Sequence, residues 1–434
     1  MTLQHLQEGN IVSKCVRTYK ILGYAIMIVS PLWSQIAESP SVEIWIQEAL
    51  KNNPEILAYR KSAAAAQARI PWTGALPDPM IKLGAMNLPV NSFRFDQEPM
   101  TGKQIMLTQR FPFFGVLGLK SEVSRQMARM AEVQLQAKEN EVVREVKEAV
   151  FNLGYLKQAI DLAQKNQNVL DQFVQIATKK YEVGKGLQQD VLRAQVALSK
   201  MTEKIIILKQ KERSAKVMLN TILGRAIDHP LNEVPMPVPV SVSIEDDTLF
   251  TIAEEHSPVL AVKRALIALQ SAQKKLAGRS YFPHLDLSVA YTQREDMMGS
   301  TMHDFFSAQA GFSIPLWFWR NQRNKVEEAG LRLEESWANY ENTRNMIHQK
   351  IADLVILIQE KKKRIQLYRE GILPQGKQSL DAATSAYAVN KVDFLTLLDN
   401  QRRLFDDEMA YERLVADHEI TKVKLEEAVG KRIF

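Results

Sequence analysis

Seven of the 16 methionines gather around four short segments of alternating character: Met80, Met86, Met100, Met106, Met297, Met298 and Met302. Thioether sulfur is a soft ligand that suits Cu(I). The same flexible side chains also fill gaps in packing and loops, and spacing alone leaves both readings open. The histidines, His5, His229, His256, His284, His303, His348 and His418, are scattered along the chain. None stands in an HExxH or comparable ligand spacing, so no resident metal and no cofactor is expected. There is no P-loop, Rossmann glycine pattern, nucleophile elbow or carboxylate pair at catalytic spacing, so the chain is not expected to be an enzyme. What remains is charge. A ring of carboxylates in a pore acts on ions electrostatically, and Asp399 is the candidate, against the alternative of an ordinary helix-surface charge. Asp406, Asp407 and Glu408 read as solvated helix surface.

The chain has 434 residues, 46% hydrophobic and 24% charged, with a net charge of +6. The positive charge is spread along the sequence. Short runs such as KKKR, 361–364, read as a solvated helix face, so no nucleic-acid partner is expected. Residues 1–39 have the layout of a secretory signal peptide. Lys14, Arg17 and Lys20 precede the apolar run Ile21 to Trp33, and small residues follow at Ala37, Ser39 and Ser41. That run is well short of the roughly 20 residues a membrane-spanning helix needs; an uncleaved anchor is the alternative. The single cysteine, Cys15, falls in this segment, so the mature chain is expected to have neither disulfide nor thiolate site.

The elements that must position these residues come in two copies. Pro54 matches Pro258, Pro79 matches Pro283, Pro112 matches Pro315, Tyr181 matches Tyr387 and Gly224 matches Gly430, all at offsets of 203 to 206 residues. Residues 40–227 form the first repeat, 228–244 a Pro-rich linker, and 245–434 the second repeat. Each reads as helix, strand, strand, long helix, helix, so the expected fold is mainly α with a small β part. The strands are expected at about 80–88, 103–111, 283–293 and 305–314. Period-2 alternation puts Ile81 and Leu83, then Leu285, Leu287 and Val289, then Phe306 and Phe312 on apolar faces. Such strands fit the roughly 9–11 residues of a tilted membrane strand; a soluble sheet packed on helices is the alternative. Four strands cannot close a membrane barrel, and an open edge cannot lie in lipid, so membrane strands require several chains to share one barrel.

The long helical stretches run from about Leu117 to Lys180 and from about Gln322 to Ala386, and the returning helices from Leu187 to Leu223 and from Asp393 to Val429. About 65 residues at 1.5 Å rise span roughly 100 Å. Gly371 and Pro374 predict a kink or break in the second stretch. The repeated segments YEVGKGLQQDVLRAQ and YAVNKVDFLTLLDNQ mark two hairpin tips, near 181–187 and 387–393, remote from the strands. Gly184 suits a positive φ, and Asn390 is the next residue type that tolerates it. Asp190 and Asp393 sit where a helix start favours an anion.

These marks, with ILPQGKQSL and the strand-ending prolines, resemble the outer-membrane efflux proteins, the TolC-like family, from about Val42 to the C-terminus. LPDPMIKLGAMNLP, MTGKQIMLTQRFPFFG and REDMMGS resemble its heavy-metal, cation-exporting branch. The resemblance implies a homotrimer with a shared 12-stranded β-barrel in the outer-membrane lipid and an α-helical barrel across the periplasm. It implies a periplasmic adaptor (membrane fusion) protein and a proton-driven inner-membrane pump of the RND type as partners. Passive conduction would begin when the tips open. It further implies a gate at the tips, with Tyr387 hydrogen-bonded to Asp190, Tyr181 as the first-tip counterpart of Tyr387, and Asp399 facing inward. Thr396 stands where the family has a second acidic residue and Val392 where it often has a clamping Arg; both are departures. Val183 and Gly184, and Val389 and Asn390, map onto the adaptor-contacting positions. A periplasmic adaptor or coiled-coil scaffold is the alternative function.

Overall fold

The computed structural model describes residues 40–231, 246–297 and 299–434. The expected leader with His5 and Cys15, most of the Pro-rich segment, and Met298 lie outside the described residues.

Two short helices open the first half, α1 (Pro40–Asn52) and α2 (Pro54–Thr73). Pro54 lacks an N–H and suits the first turn of a helix. Asn53 makes the break specific. Its Oδ1 accepts from Glu55 N at 2.9 Å and Ile56 N at 3.3 Å, while its Nδ2 donates to Ile222 O at 2.9 Å. Strands β1 (Met80–Met86) and β2 (Gly102–Phe111) follow, then α3 (Val116–Glu182) and α4 (Gln188–Ile222). The second half repeats the order with α5 (Asp246–His256), α6 (Pro258–Gly278), β3 (Leu285–Gln293), β4 (Phe305–Phe312), α7 (Gln322–Leu367), α8 (Leu373–Ala388) and α9 (Phe394–Val429).

At 67 residues, α3 runs about 100 Å. Its buried residues Val142, Val146, Ala149, Val150, Leu153 and Leu156 recur at threes and fours, the stripe that lets long helices lie side by side. They form one core with α1, α2, α4, α8 and α9. A second core joins α5 and α7 to the C-terminal end of α9. The second long helix does not stop at Gly371 and Pro374. A π-helical turn, Tyr368–Ile372, joins α7 to α8. The Pro374 ring would clash with the carbonyl four residues back in a regular helix, and the wider turn takes up that misfit.

The root of each hairpin closes in the same way. Gly224 and Gly430 both have positive φ, +70° and +80°. A Cβ on Gly224 would lie 2.6 Å from Asn52 O, and one on Gly430 closer still to His256 O. Each glycine therefore packs against the backbone just before the proline that starts α2 or α6. Lys147, buried on α3, pairs with Glu426 at 3.1 Å, and Glu426 accepts from Ile433 N and Phe434 N at 3.0 Å, holding the C-terminal residues to α9 and α3.

The four strands form one antiparallel sheet in the order β1-β2-β3-β4. Directly paired residues share a face. The register Leu83↔Ile105↔Tyr291↔Phe306 and Ile81↔Leu107↔Val289↔Ala308 therefore runs one apolar face across both repeats. The other face carries Lys82, Gln104, Thr108, Arg110, Asp286, Ser288 and Gln309. Strands β1 and β4 each pair on one side only. Among the described residues, no helix is long and apolar enough to cross a membrane.

Candidate functional site: the strand faces and the hairpin tips

The apolar strand face is bare. Ile81, Leu83, Leu287, Val289, Phe306 and Phe312 are exposed, Leu83 at 76% and Phe306 at 74%. Leu285 shares the face through its pairing with Phe111 and Phe312, but it is half-buried rather than open. Beyond β4 the apolar surface continues through Ile314, Leu316, Trp317, Phe318 and Trp319, all exposed. The opposite face is polar and cross-linked. Arg110 grips Asp286 through two hydrogen bonds of 2.8 and 3.1 Å, Thr108 meets Ser288 at 2.9 Å, and Gln104 donates to Thr292 at 3.2 Å. Of the methionines, Met80, Met86 and Met106 lie on that polar face, and Met100, Met297 and Met302 in the connections. Among the described residues there is no group of three or more His, Cys, Asp or Glu able to hold a metal ion.

The two tips are built on one backbone plan. Helix α3 ends as Gly184, at φ +71°, donates its N–H to Tyr181 O and Lys185 N donates to Lys180 O. Helix α8 ends as Asn390, at φ +60°, donates to Tyr387 O and Lys391 N to Ala386 O. The returning helices start differently. Leu187 gives α4 no side-chain cap. Asp393 caps α9, its Oδ1 accepting from Thr396 N at 2.9 Å and from Thr396 Oγ1 at 2.5 Å. The Thr396 hydroxyl, then the backbone N–H, hold the Asp393 carboxyl below its ordinary pKa.

The sequence-derived tip residues separate into exposed and packed sets. Tyr181, Val183, Gly184, Val389 and Asn390 are exposed at the turns. Val392 is half-buried and packs on the core that holds Phe394. Tyr387 is buried, its ring edge-on to Phe394 at 5.6 Å, and Phe394 in turn edge-on to Phe173 at 6.4 Å. The expected Tyr387–Asp190 hydrogen bond is not formed. Burial, and after it the Asp190 charge, raise the Tyr387 phenol pKa, so the two groups sense one another without bonding. The partner of Tyr387 is Lys180, on α3. Its ammonium donates to Tyr387 O at 2.5 Å and to Asn390 Oδ1 at 2.7 Å, and stands 4.0 Å over the Tyr387 ring. Lys180 carries no sequence signal of its own, because a lysine in the last turn of a helix is ordinary dipole complement.

Asp399 is exposed and paired with Arg403, one turn along α9, at 2.9 Å. A groove of about 660 Å³ lies between α4 and α9, behind the tips. Leu192, Val196, Leu395 and Phe405 line it, with Arg193, Lys200, Lys204 and Arg402 among its polar groups. Buried Gln401 and Asn166 meet there, Gln401 Nε2 donating to Asn166 Oδ1 at 2.5 Å. Nothing in their spacing marks this pair, since they lie on helices far apart in sequence.

A half-bare four-stranded sheet carried on two helical runs of roughly 100 Å, each with a returning helix about half as long, defines a class, and comparison with known proteins agrees. The family described as outer membrane efflux protein matches residues 45–225 and 249–431, so the chain belongs to that family. It is an outer-membrane efflux component that extends into the periplasm. The cobalt-zinc-cadmium resistance protein CzcC of Cupriavidus metallidurans is 24% identical over 287 residues, 65% of this chain and 66% of that protein. The cation efflux system protein CusC of Escherichia coli O157:H7 is 22% identical over 409 residues, covering 92% and 87% of the two chains. A crystal structure of CusC superposes with a TM-score of 0.76 at 19% identity, covering 90% of this chain and 92% of that one.

Proposed function

We propose that three copies of this chain form a passive, gated conduit for heavy-metal cations across the outer membrane. Their sheets would close one twelve-stranded barrel, and their hairpins one twelve-helix cylinder. The observation that carries this reading is the sheet. Its apolar face is bare, and β1 and β4 each keep an unpaired edge. An open edge in lipid leaves backbone groups without partners at several kcal/mol each. Edge pairing of β1 with β4 of the next copy removes that cost. In this reading Ile81, Leu83, Leu285, Leu287, Val289, Phe306 and Phe312 face lipid, and the polar face lines the pore.

The cargo rests on the relatives, whose names give cobalt, zinc, cadmium and cations. In this reading transport is driven from a proton-driven inner-membrane pump through a periplasmic adaptor. Val183, Gly184, Val389 and Asn390, bare at the turns, are its contacts. Tyr181, Asp190, Tyr387, Val392, Thr396 and Asp399 belong to the gate. The test is to isolate the protein from separated membranes of a Gram-negative host, weigh the detergent-extracted complex, and compare cobalt, zinc and cadmium tolerance of cells with and without it. A trimer in the outer membrane with metal-specific tolerance is expected. A monomer in the inner-membrane or soluble fraction overturns the shared barrel. Tolerance to organic compounds alone overturns the cargo.

A further inference from the structure

We propose that Lys180 is the clamp that holds the two hairpin tips of a protomer together in the closed channel, an inference that rests on the gated-channel reading above. A lysine ammonium has three donors and no acceptor. Here one ammonium meets three electron-rich groups, all on the far side of the tip contact. The Tyr387 carbonyl accepts from it at 2.5 Å, Asn390 Oδ1 at 2.7 Å, and the Tyr387 ring lies 4.0 Å away. The carbonyl belongs to the last turn of α8, where the helix dipole is negative and attracts a cation. The ring adds a cation–π contact, and its burial makes that contact stronger than an exposed one.

The same geometry accounts for the asymmetry between the tips. Conformation alone favours glycine at a positive φ, and Gly184 has it. Position 390 needs the same φ and carries asparagine. Glycine there would leave the ammonium one oxygen short. The residue that corresponds to Lys180 in the second hairpin is Ala386, one before Tyr387, so the clamp acts in one direction only. Val392 packs on the core and offers no charge. Lys180 is therefore the cation hydrogen-bonded from the first tip to the second, while Arg193 on α4 acts on Asp393 through its charge. Any motion that carries α8 and α9 away from α3 must pull the Tyr387 carbonyl and Asn390 off it.

The experiment uses the full trimer with Lys180→Met, Lys180→Arg and Asn390→Gly. Two readouts are taken, single-channel open fraction in planar lipid bilayers and hydrogen exchange of the 387–393 backbone amides in detergent. Loss of a charged hydrogen-bonding partner corresponds to about tenfold or more in an equilibrium. Lys180→Met should raise the ratio of open to closed by about that factor and speed exchange at 387–393 similarly. Amides at the roots, 219–224, should exchange as in the wild type. Lys180→Arg should stay close to wild type, and Asn390→Gly should move both readouts the same way by a smaller factor. Unchanged tip exchange in Lys180→Met overturns the clamp, whether or not the protein conducts. A wild-type protein that never conducts, with tip exchange that responds to Lys180→Met, supports the clamp and overturns the channel reading instead.

Discussion

At the roots of the hairpins, Gly224 and Gly430 turn to positive φ with a backbone carbonyl pressed against the place where a Cβ would stand. At the first tip, Gly184 makes the same turn with nothing within 4 Å of that place. One residue type thus answers two different demands. The roots require the absence of a side chain, whereas the tip turn leaves room for one, which at Asn390 accepts from the Lys180 ammonium. That is why both roots keep glycine while one tip carries asparagine. The root fixes the end of each returning helix against the end of α1 or α5, and the tip is held by side chains that can let go.

The sharpest way to break this comparison is Gly430→Ala. Positive φ and a collision with His256 O act together, so the expected loss is on the order of 3–5 kcal/mol, among the larger single-residue effects. Folded trimer in the outer membrane should fall to a small fraction of wild type. Gly224→Ala, with its contact to Asn52 O less tight, should cost somewhat less. Next is Gly184→Ala, which meets no atom and pays only for the left-handed conformation, about 1–2 kcal/mol. Thermal unfolding of the detergent-extracted protein ranks the three. If Gly184→Ala proves as costly as Gly430→Ala, the distinction between roots and tips is wrong.

The helix starts beside the tips offer a smaller effect of opposite sign. Helix α4 begins at Leu187 with no side-chain cap, and α9 begins at capped Asp393. Leu187→Asp should gain about 0.5–1 kcal/mol by giving α4 what α9 has. Asp393→Asn should remove an acid sensitivity. The Asp393 carboxyl is held below its ordinary pKa, so its stabilisation is present above the unfolded value and is lost as pH falls through the lowered one. The wild-type loss of stability on acidification should be shallower in the variant. Parallel denaturation series at falling pH measure both.

Much of this was legible in the sequence, and what was legible shares a cause. Prolines and glycines mark backbone events, so the pairs Pro54 with Pro258 and Gly224 with Gly430 survive where side chains have diverged. Period-2 alternation is local, so the apolar strand face could be read residue by residue, although the half-burial of Leu285 could not. Pro374 announced a disturbance in the helix, but whether a helix breaks or widens into a π turn depends on how its neighbours hold it. Lys180 was invisible because its partners lie more than two hundred residues away. The Tyr387–Asp190 bond was expected by resemblance, and here the carbonyl and ring face of Tyr387 are taken by a lysine that the resemblance did not single out.

The smallest expected effect tests whether the tip-side half of α9 is set close to balance. Glu408 and Glu412 stand one turn apart and half-buried on α9. Burial raises both carboxyl pKa values. The Glu408 charge raises Glu412 further, while Lys377 and Lys165 pull Glu408 back. A carboxyl whose folded pKa is raised stabilises most when protonated. Its contribution is fully present below the unfolded value and is lost as pH rises through the folded one. At neutral pH the pair is therefore a small cost, screened because both groups keep contact with solvent. Glu412→Gln should make the protein slightly more stable at pH 7, by no more than about 0.5 kcal/mol. It should also reduce the loss of stability as pH rises from the ordinary carboxylate range to neutrality, because the raised carboxyls lose their protons along that rise. The double variant Glu408→Gln/Glu412→Gln should add less than a second equal increment, because removing either charge already ends the repulsion. Full additivity would mean that the two carboxylates do not sense one another, and that burial alone sets their titration.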